Sequence, residues 1–99
     1  MLVARSLSLQ KAQAEVREAR LALTFARQFS VMAFRYYTEF SLEDPRLNFP
    51  DLPQPVFDNF FQIYECMRAI SENASNVEQL ASDRYEAARQ HLNDILYSN

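Results

Sequence analysis

The sequence predicts an all-α protein, a three-helix bundle with a long central first helix, a proline-rich connector and a C-terminal antiparallel helix pair. Three observations support this prediction. Apolar residues recur in alternating steps of three and four along most of the chain, which is the helical period. The 99 residues contain no glycine, which excludes glycine-rich phosphate loops and the usual tight hairpin turns. All four prolines fall between residues 45 and 55, so we expect one connector between helices.

The length of the chain predicts a single helical domain over residues 1–99. Hydrophobic residues make up 48% and charged residues 23%, which is typical of a folded globular protein. The longest apolar runs are only a few residues, too short for a membrane-spanning helix of about 20 residues. Composition therefore predicts a soluble domain without a membrane span.

The first helix is predicted over residues 9–40, with Ser8 as its N-terminal cap. One stripe of this helix repeats in the three-and-four pattern of a heptad seam. Its members are Leu9, Ala12, Val16, Ala19, Leu23, Ala26, Ser30, Ala33, Tyr37 and Phe40. Because alanines let a second helix approach closely, we expect the first part of this seam to contact a helix of another chain. The predicted interface consists of Leu9, Ala12, Val16, Ala19, Leu23 and Ala26.

A second apolar stripe begins halfway along the same helix. It consists of Leu21, Phe25, Phe29, Met32 and Tyr36. Together with the seam, it makes residues 21–40 apolar nearly all round, which is typical of a buried helix. One chain of this size offers too little surface to cover both stripes. The surplus predicts self-association through the first helix, or assembly with another helical subunit.

Two shorter helices are predicted after a connector at residues 41–55, where Leu47, Phe49 and Leu52 are expected to hold the connector on the core. The first of these helices runs over residues 55–73 and the second over 76–97. Residues 71–76 are polar and predict a break between them. Ser75 with Glu78 matches a capping box, which favours a new helix start at that point.

Charge is unevenly distributed along the chain. The net charge is −3, which disfavours nucleic acid as the main partner because phosphate binding requires a basic surface. Residues 1–36 hold six basic and two acidic groups, whereas residues 37–99 hold four basic and eleven acidic groups. We interpret this as a basic helix packed among acidic ones.

The best candidates for catalysis are Arg84 and His91, seven residues apart on one face of the last predicted helix. Such a pair could hold a phosphate and move a proton near neutral pH. The segment from Arg84 to His91 resembles the Arg-x(4–6)-His motif of HEPN-domain ribonucleases, which are small helical bundles, although Tyr85 replaces the polar residue usual after the arginine. The resemblance implies ribonuclease activity, and it is the enzymatic alternative to an interaction module.

No metal site or cofactor is predicted. Ala88 stands where a di-iron bundle would carry glutamate before His91, and Cys66 is the one cysteine of the chain. A ligand-binding bundle remains a further alternative, in which a pocket is lined by the aromatic residues from Phe57 to Tyr64. These are Phe57, Phe60, Phe61 and Tyr64.

The function predicted from the sequence is a non-catalytic helical protein-interaction module, an adaptor or a small subunit of a larger complex. An intracellular, cytoplasmic location is expected because no secretory signal is present. Residues 1–12 also fit a mitochondrial transit peptide, since they contain basic groups and serines but no acid. The lack of glycine and the end at Asn99 fit a piece of a longer protein.

Overall fold

Two long antiparallel helices dominate the computed structural model, which describes residues 2–98 and the side chains from residue 4 onward. The helices are α1 (Leu2–Ser41), the short α2 (Pro45–Asn48) and α3 (Gln54–Tyr97). The all-α prediction is confirmed. The molecule measures 77 × 16 × 15 Å, so it is a rod two helices wide. Within residues 2–98, neither long helix contains a stretch apolar enough to cross a membrane.

Helix α1 begins before the predicted start. Its 40 residues already include Ser8, so Ser8 is not the N-terminal cap. The helical segment spans most of residues 1–12, the candidate transit peptide, of which Met1 lies outside the described residues. At the other end, the Ser41 hydroxyl donates a hydrogen bond to the Thr38 carbonyl at 2.6 Å. Pro45 then begins α2, because proline fits the first turn of a helix, where its missing N–H is not needed.

The predicted three-helix arrangement is not confirmed, because α3 is one continuous helix of 44 residues. The expected break at residues 71–76 is absent, and Ser75 lies in the helix interior rather than at a cap. Serine and asparagine disfavour a helix interior by only about 0.5 kcal/mol each, whereas a glycine or proline would cost more. Burial of Ala74 against α1 offsets this small preference and keeps the helix intact.

The connector is held by a cation–π contact and not by its apolar side chains. The Asp44 carboxylate caps α2 by accepting a hydrogen bond from the backbone N–H of Arg46 at 2.9 Å. It accepts a second hydrogen bond from the guanidinium of Arg46 at 2.6 Å. The same guanidinium lies 4.5 Å from the centre of the Phe61 ring on α3. The expectation for Leu47, Phe49 and Leu52 was wrong, since all three are exposed.

Alanine makes up five of the six residues that are buried between the helices within residues 4–98. Ala12 and Ala19 are 1% and 0% exposed, and Leu23, Ala26 and Ala33 are also buried. No large side chain among the described residues is fully buried. Small residues bring two helices close together, but they bury little apolar area. The hairpin therefore has a thin core, and aromatic residues reinforce its loop end, where Phe40 stacks on Phe60 at 4.7 Å.

Candidate functional site

The predicted interface residues of α1 lie in the contact with α3 of the same chain. Leu9 and Val16 are half-buried there, and the remaining four are buried. The complete list is Leu9, Ala12, Val16, Ala19, Leu23 and Ala26. These side chains face the partner helix that the hairpin itself supplies. The four buried ones would contact a second chain only if α1 and α3 separated.

The second stripe of α1 is exposed in the hairpin, so the expected surplus of apolar surface lies here and not on the seam to which the interface was assigned. Phe25 is 65% and Phe29 54% exposed, and Leu21, Met32 and Tyr36 have comparable exposure. The reason is geometric: α3 covers one side of α1, and the described residues supply no third helix to cover this neighbouring side. A row of five large apolar side chains is thus left in contact with water.

Helix α3 continues the exposed row on the same side of the hairpin. A cleft of about 190 Å³ lies between the helices, and its walls include Phe29 and Tyr36 of α1 and Met67 and Ile70 of α3. Residues 63 and 77 stand seven positions from Ile70, which places them on the same face. The resulting surface, called the apolar face below, comprises Leu21, Phe25, Phe29, Met32, Tyr36, Ile63, Ile70, Val77 and Leu80, all exposed.

The opposite side of α3 carries ion pairs. Arg68 contacts Glu65 and Glu72, each at 2.7 Å, and Arg89 contacts Glu86 at 3.3 Å. The hydrogen bonds that Arg68 donates to Glu65, and the attraction of both carboxylates, raise the pKa of Arg68. Such pairs, three or four residues apart on an exposed helix, stabilise it only slightly. They indicate that this side remains in water, in contrast to the apolar face.

One ion pair crosses between the long helices at the border of the apolar face. The guanidinium of Arg84 lies 3.9 Å from the Glu18 carboxylate, and both side chains are exposed. The pair stands beyond Leu21 and Leu80, on the side away from the connector. The apolar face therefore ends in charge toward the helix termini.

Arg84 and His91, the candidates for catalysis, lie on exposed surface of α3. Arg84 contacts Glu18. Neither residue borders the apolar cleft described above. The structure thus gives the two side chains a shared helix face and no enclosed site between them.

The aromatic residues that could have lined a pocket instead join the helices near the connector. The Tyr64 hydroxyl lies 2.7 Å from that of Tyr37, and Phe60 stacks on Phe40. The hydrogen bond with Tyr64, and then burial, raise the pKa of Tyr37. The ring of Phe61 contacts the guanidinium of Arg46, which belongs to the connector. Phe57, the fourth member, is half-buried, and none of the four lines the apolar cleft.

Within residues 2–98, no group of three metal-ligating side chains forms a metal site. Cys66 is exposed on α3, next to the apolar face. It borders an open depression with Asp58, Phe61 and Glu65. The residues that line this depression include two acids and no basic group.

Sequence reasoning found the α1 half of the apolar face but missed the half on α3. Ile63, Ile70 and Val77 recur every seven residues, which is the signal that could have revealed it. The signal was hidden because two separate helices were predicted here, with Ile63 and Ile70 in the range 55–73 and Val77 in the range 76–97. A single continuous α3 places all three on one exposed face.

Comparison with known proteins adds no family to this description. No family model, no curated protein and no solved structure matches the chain. The apolar face and its surroundings therefore remain the feature of the molecule that points to a function.

Proposed function

We propose that this chain is a non-catalytic helical protein-interaction module, an adaptor or small subunit of a larger complex, which binds a helical partner through the apolar face. The observation that supports the proposal is the extent of that face. Its nine side chains are 50–69% exposed and together expose on the order of 900 Å², since an aromatic side chain presents roughly 150–250 Å² and an aliphatic one somewhat less. The largest apolar patch of an ordinary monomer covers about 300–600 Å².

The shape of the apolar face favours a helical partner. It runs along both long helices over about 22 Å, at 1.5 Å per residue. The cleft near Phe29 and Ile70 lies between two parallel ridges of side chains. A groove of this kind suits side chains projecting from another helix, which interdigitate with the ridges of the first two.

The thin core gives a second reason for a partner. Among residues 4–98, the buried ones are five alanines and one leucine, so the hairpin gains little hydrophobic stabilisation for its length. Covering the apolar face with another helical layer would add the missing burial, because stable domains are built from packed layers. We therefore expect binding and stability of the hairpin to be coupled.

Photochemical cross-linking in cells that produce the protein tests this proposal. A photoreactive phenylalanine analogue is placed at position 29 on the apolar face, and in a matched control at position 34. Phe34 is 61% exposed against 54% for Phe29 and lies on the same helix, about 140° away around its axis. We expect discrete protein adducts from position 29 in several-fold excess over position 34. Equal labelling from both positions would refute an interaction role for the apolar face.

A further inference from the structure

We infer that the partner of the apolar face is a second copy of this chain, and that the two hairpins form a four-helix bundle with both connectors at the same end. This inference depends on the proposed function and names its partner. In the bundle, α1 of each copy lies over α3 of the other, and a two-fold axis runs along the rod. Each hairpin then buries its apolar face against an identical one.

The area of the apolar face matches what such a dimer requires. About 900 Å² per chain is close to the roughly 800 Å² that each partner contributes to a standard stable interface. Two hairpins also make a bundle of four helices, a common arrangement that encloses a core between helix pairs. A second copy therefore covers the whole face without leaving a large apolar remainder.

The position of each residue along the long axis of the rod, called its height below, predicts which side chains would meet. Contacts within the hairpin join Tyr37 to Tyr64 and Glu18 to Arg84. Residues whose numbers add up to about 101 therefore stand at the same height. With both connectors at one end, the same relation holds between copies. Apolar residues would then face apolar residues at four heights: Leu21 and Leu80, Phe25 and Val77, Met32 and Ile70, Tyr36 and Ile63.

Charge decides between the two possible orientations. With the connectors together, Glu18 of one copy stands at the height of Arg84 of the other, so opposite charges meet at the border of the face. With the connectors at opposite ends, the axis passes near Phe29 and Glu18 meets Glu39 of the second copy. Arg35 of that copy lies 3.7 Å from Glu39 and offsets only part of the repulsion. Like charges across an interface oppose association. The first orientation is therefore favoured.

The mass of the purified full-length chain, measured by light scattering after size exclusion over a dilution series, tests the partner. We expect twice the mass of the 11.6 kDa chain, falling to one chain on dilution. Phe29→Glu should raise the dissociation constant at least about 30-fold, as for a central interface residue. Phe34→Glu, the matched control on the same helix, should change it less than threefold. Both side chains are exposed, and circular dichroism checks that each variant remains helical.

Electron paramagnetic resonance distances test the orientation. A spin label at Gln10→Cys in a Cys66→Ser background sits on an exposed position near the end away from the connector. Connectors at the same end predict a separation of no more than about 40 Å, since neighbouring helix axes lie 8–10 Å apart. Connectors at opposite ends predict at least about 55 Å, because Gln10 is 19 residues from Phe29.

The outcomes separate this inference from the proposed function. A dimer with the short label distance supports the inference, whereas the long distance overturns its orientation. A monomer at every concentration overturns the second copy as the partner. In that case, a cross-linked adduct from position 29 in cells, with a mass different from that of two copies of this chain, would still support the proposed function. The partner would then be a different helical protein. A monomer without such an adduct would overturn both.

Discussion

The hydroxyl oxygens of Tyr37 and Tyr64 lie 2.7 Å apart, in a hydrogen bond that joins α1 to α3 across 27 positions of sequence. Their rings are 5.2 Å apart and tilted by 44°. Together with the stacked Phe40 and Phe60, this pair fixes the height of one helix against the other near the connector. The alignment of both halves of the apolar face depends on that height.

Alkaline pH should weaken the hairpin through this tyrosine pair. The pKa of Tyr37 is raised by the hydrogen bond to Tyr64, so the folded chain holds the proton that the unfolded chain loses near pH 10. The stabilisation is present below pH 10 and is lost as the pH rises through the higher folded pKa. We expect the urea midpoint of unfolding to fall above pH 10. In Tyr64→Phe, the pKa of Tyr37 should shift back toward 10 in an absorbance titration, and an unchanged titration would contradict the hydrogen bond.

Replacing Ala19 with leucine should force the helices apart. Ala19 has 0% exposure, and a larger side chain in a tightly packed contact costs about 1–3 kcal/mol. The free energy of unfolding in urea, measured at a fixed protein concentration, gives the effect. Ala69→Leu, an exposed position on α3, is the control and should change stability by less than about 0.5 kcal/mol. Equal effects at the two positions would argue against a close approach of the helices at Ala19.

Ser75→Ala distinguishes a continuous α3 from two helices by the sign of its effect. In a helix interior, alanine is better than an exposed serine, so stability should rise by about 0.5 kcal/mol. If Ser75 capped a new helix, the same change would lower stability by about 0.5–2 kcal/mol. The change in stability is measured by thermal unfolding, monitored by circular dichroism. Ser71→Ala, a half-buried position of the same helix, shows how much of the change comes from helix propensity.

Acid should release the connector before the long helices unfold. Hydrogen bonds from Arg46 lower the pKa of Asp44, so the cap of α2 is intact above about pH 4 and is lost as the pH falls through the lower folded pKa. We expect faster amide hydrogen exchange at residues 46–49 in Asp44→Ala at neutral pH, with the melting temperature unchanged. Glu43→Ala is the neighbouring control and should leave that exchange slow. If both variants exchange equally fast, the carboxylate of Asp44 does not hold α2.

Part of the candidate site could be predicted from the sequence, because the pattern that reveals it involves only residues close together in the chain. The stripe of Phe25, Phe29 and Met32 was recognised because helical periodicity depends only on nearby residues. A surplus of apolar surface was also expected, but the interface was placed on the alanine seam and not on this stripe, because the choice depends on where the other elements lie. The α3 half was missed because the polar segment at residues 71–76 suggested two separate helices, whereas the structure continues one helix through Ala74.

The sequence by itself determined that this protein is all-α, that the prolines between residues 45 and 55 separate two helical regions, and that residues 9–40 carry a seam rich in alanine. The tertiary structure alone decided that Ala12 and Ala19 pack on α3 of the same chain, and that the apolar side chains of both helices share one open face. The physical reason is that the period of a pattern records which side of a helix is buried, whereas the element that buries it is selected by where the connector returns the chain.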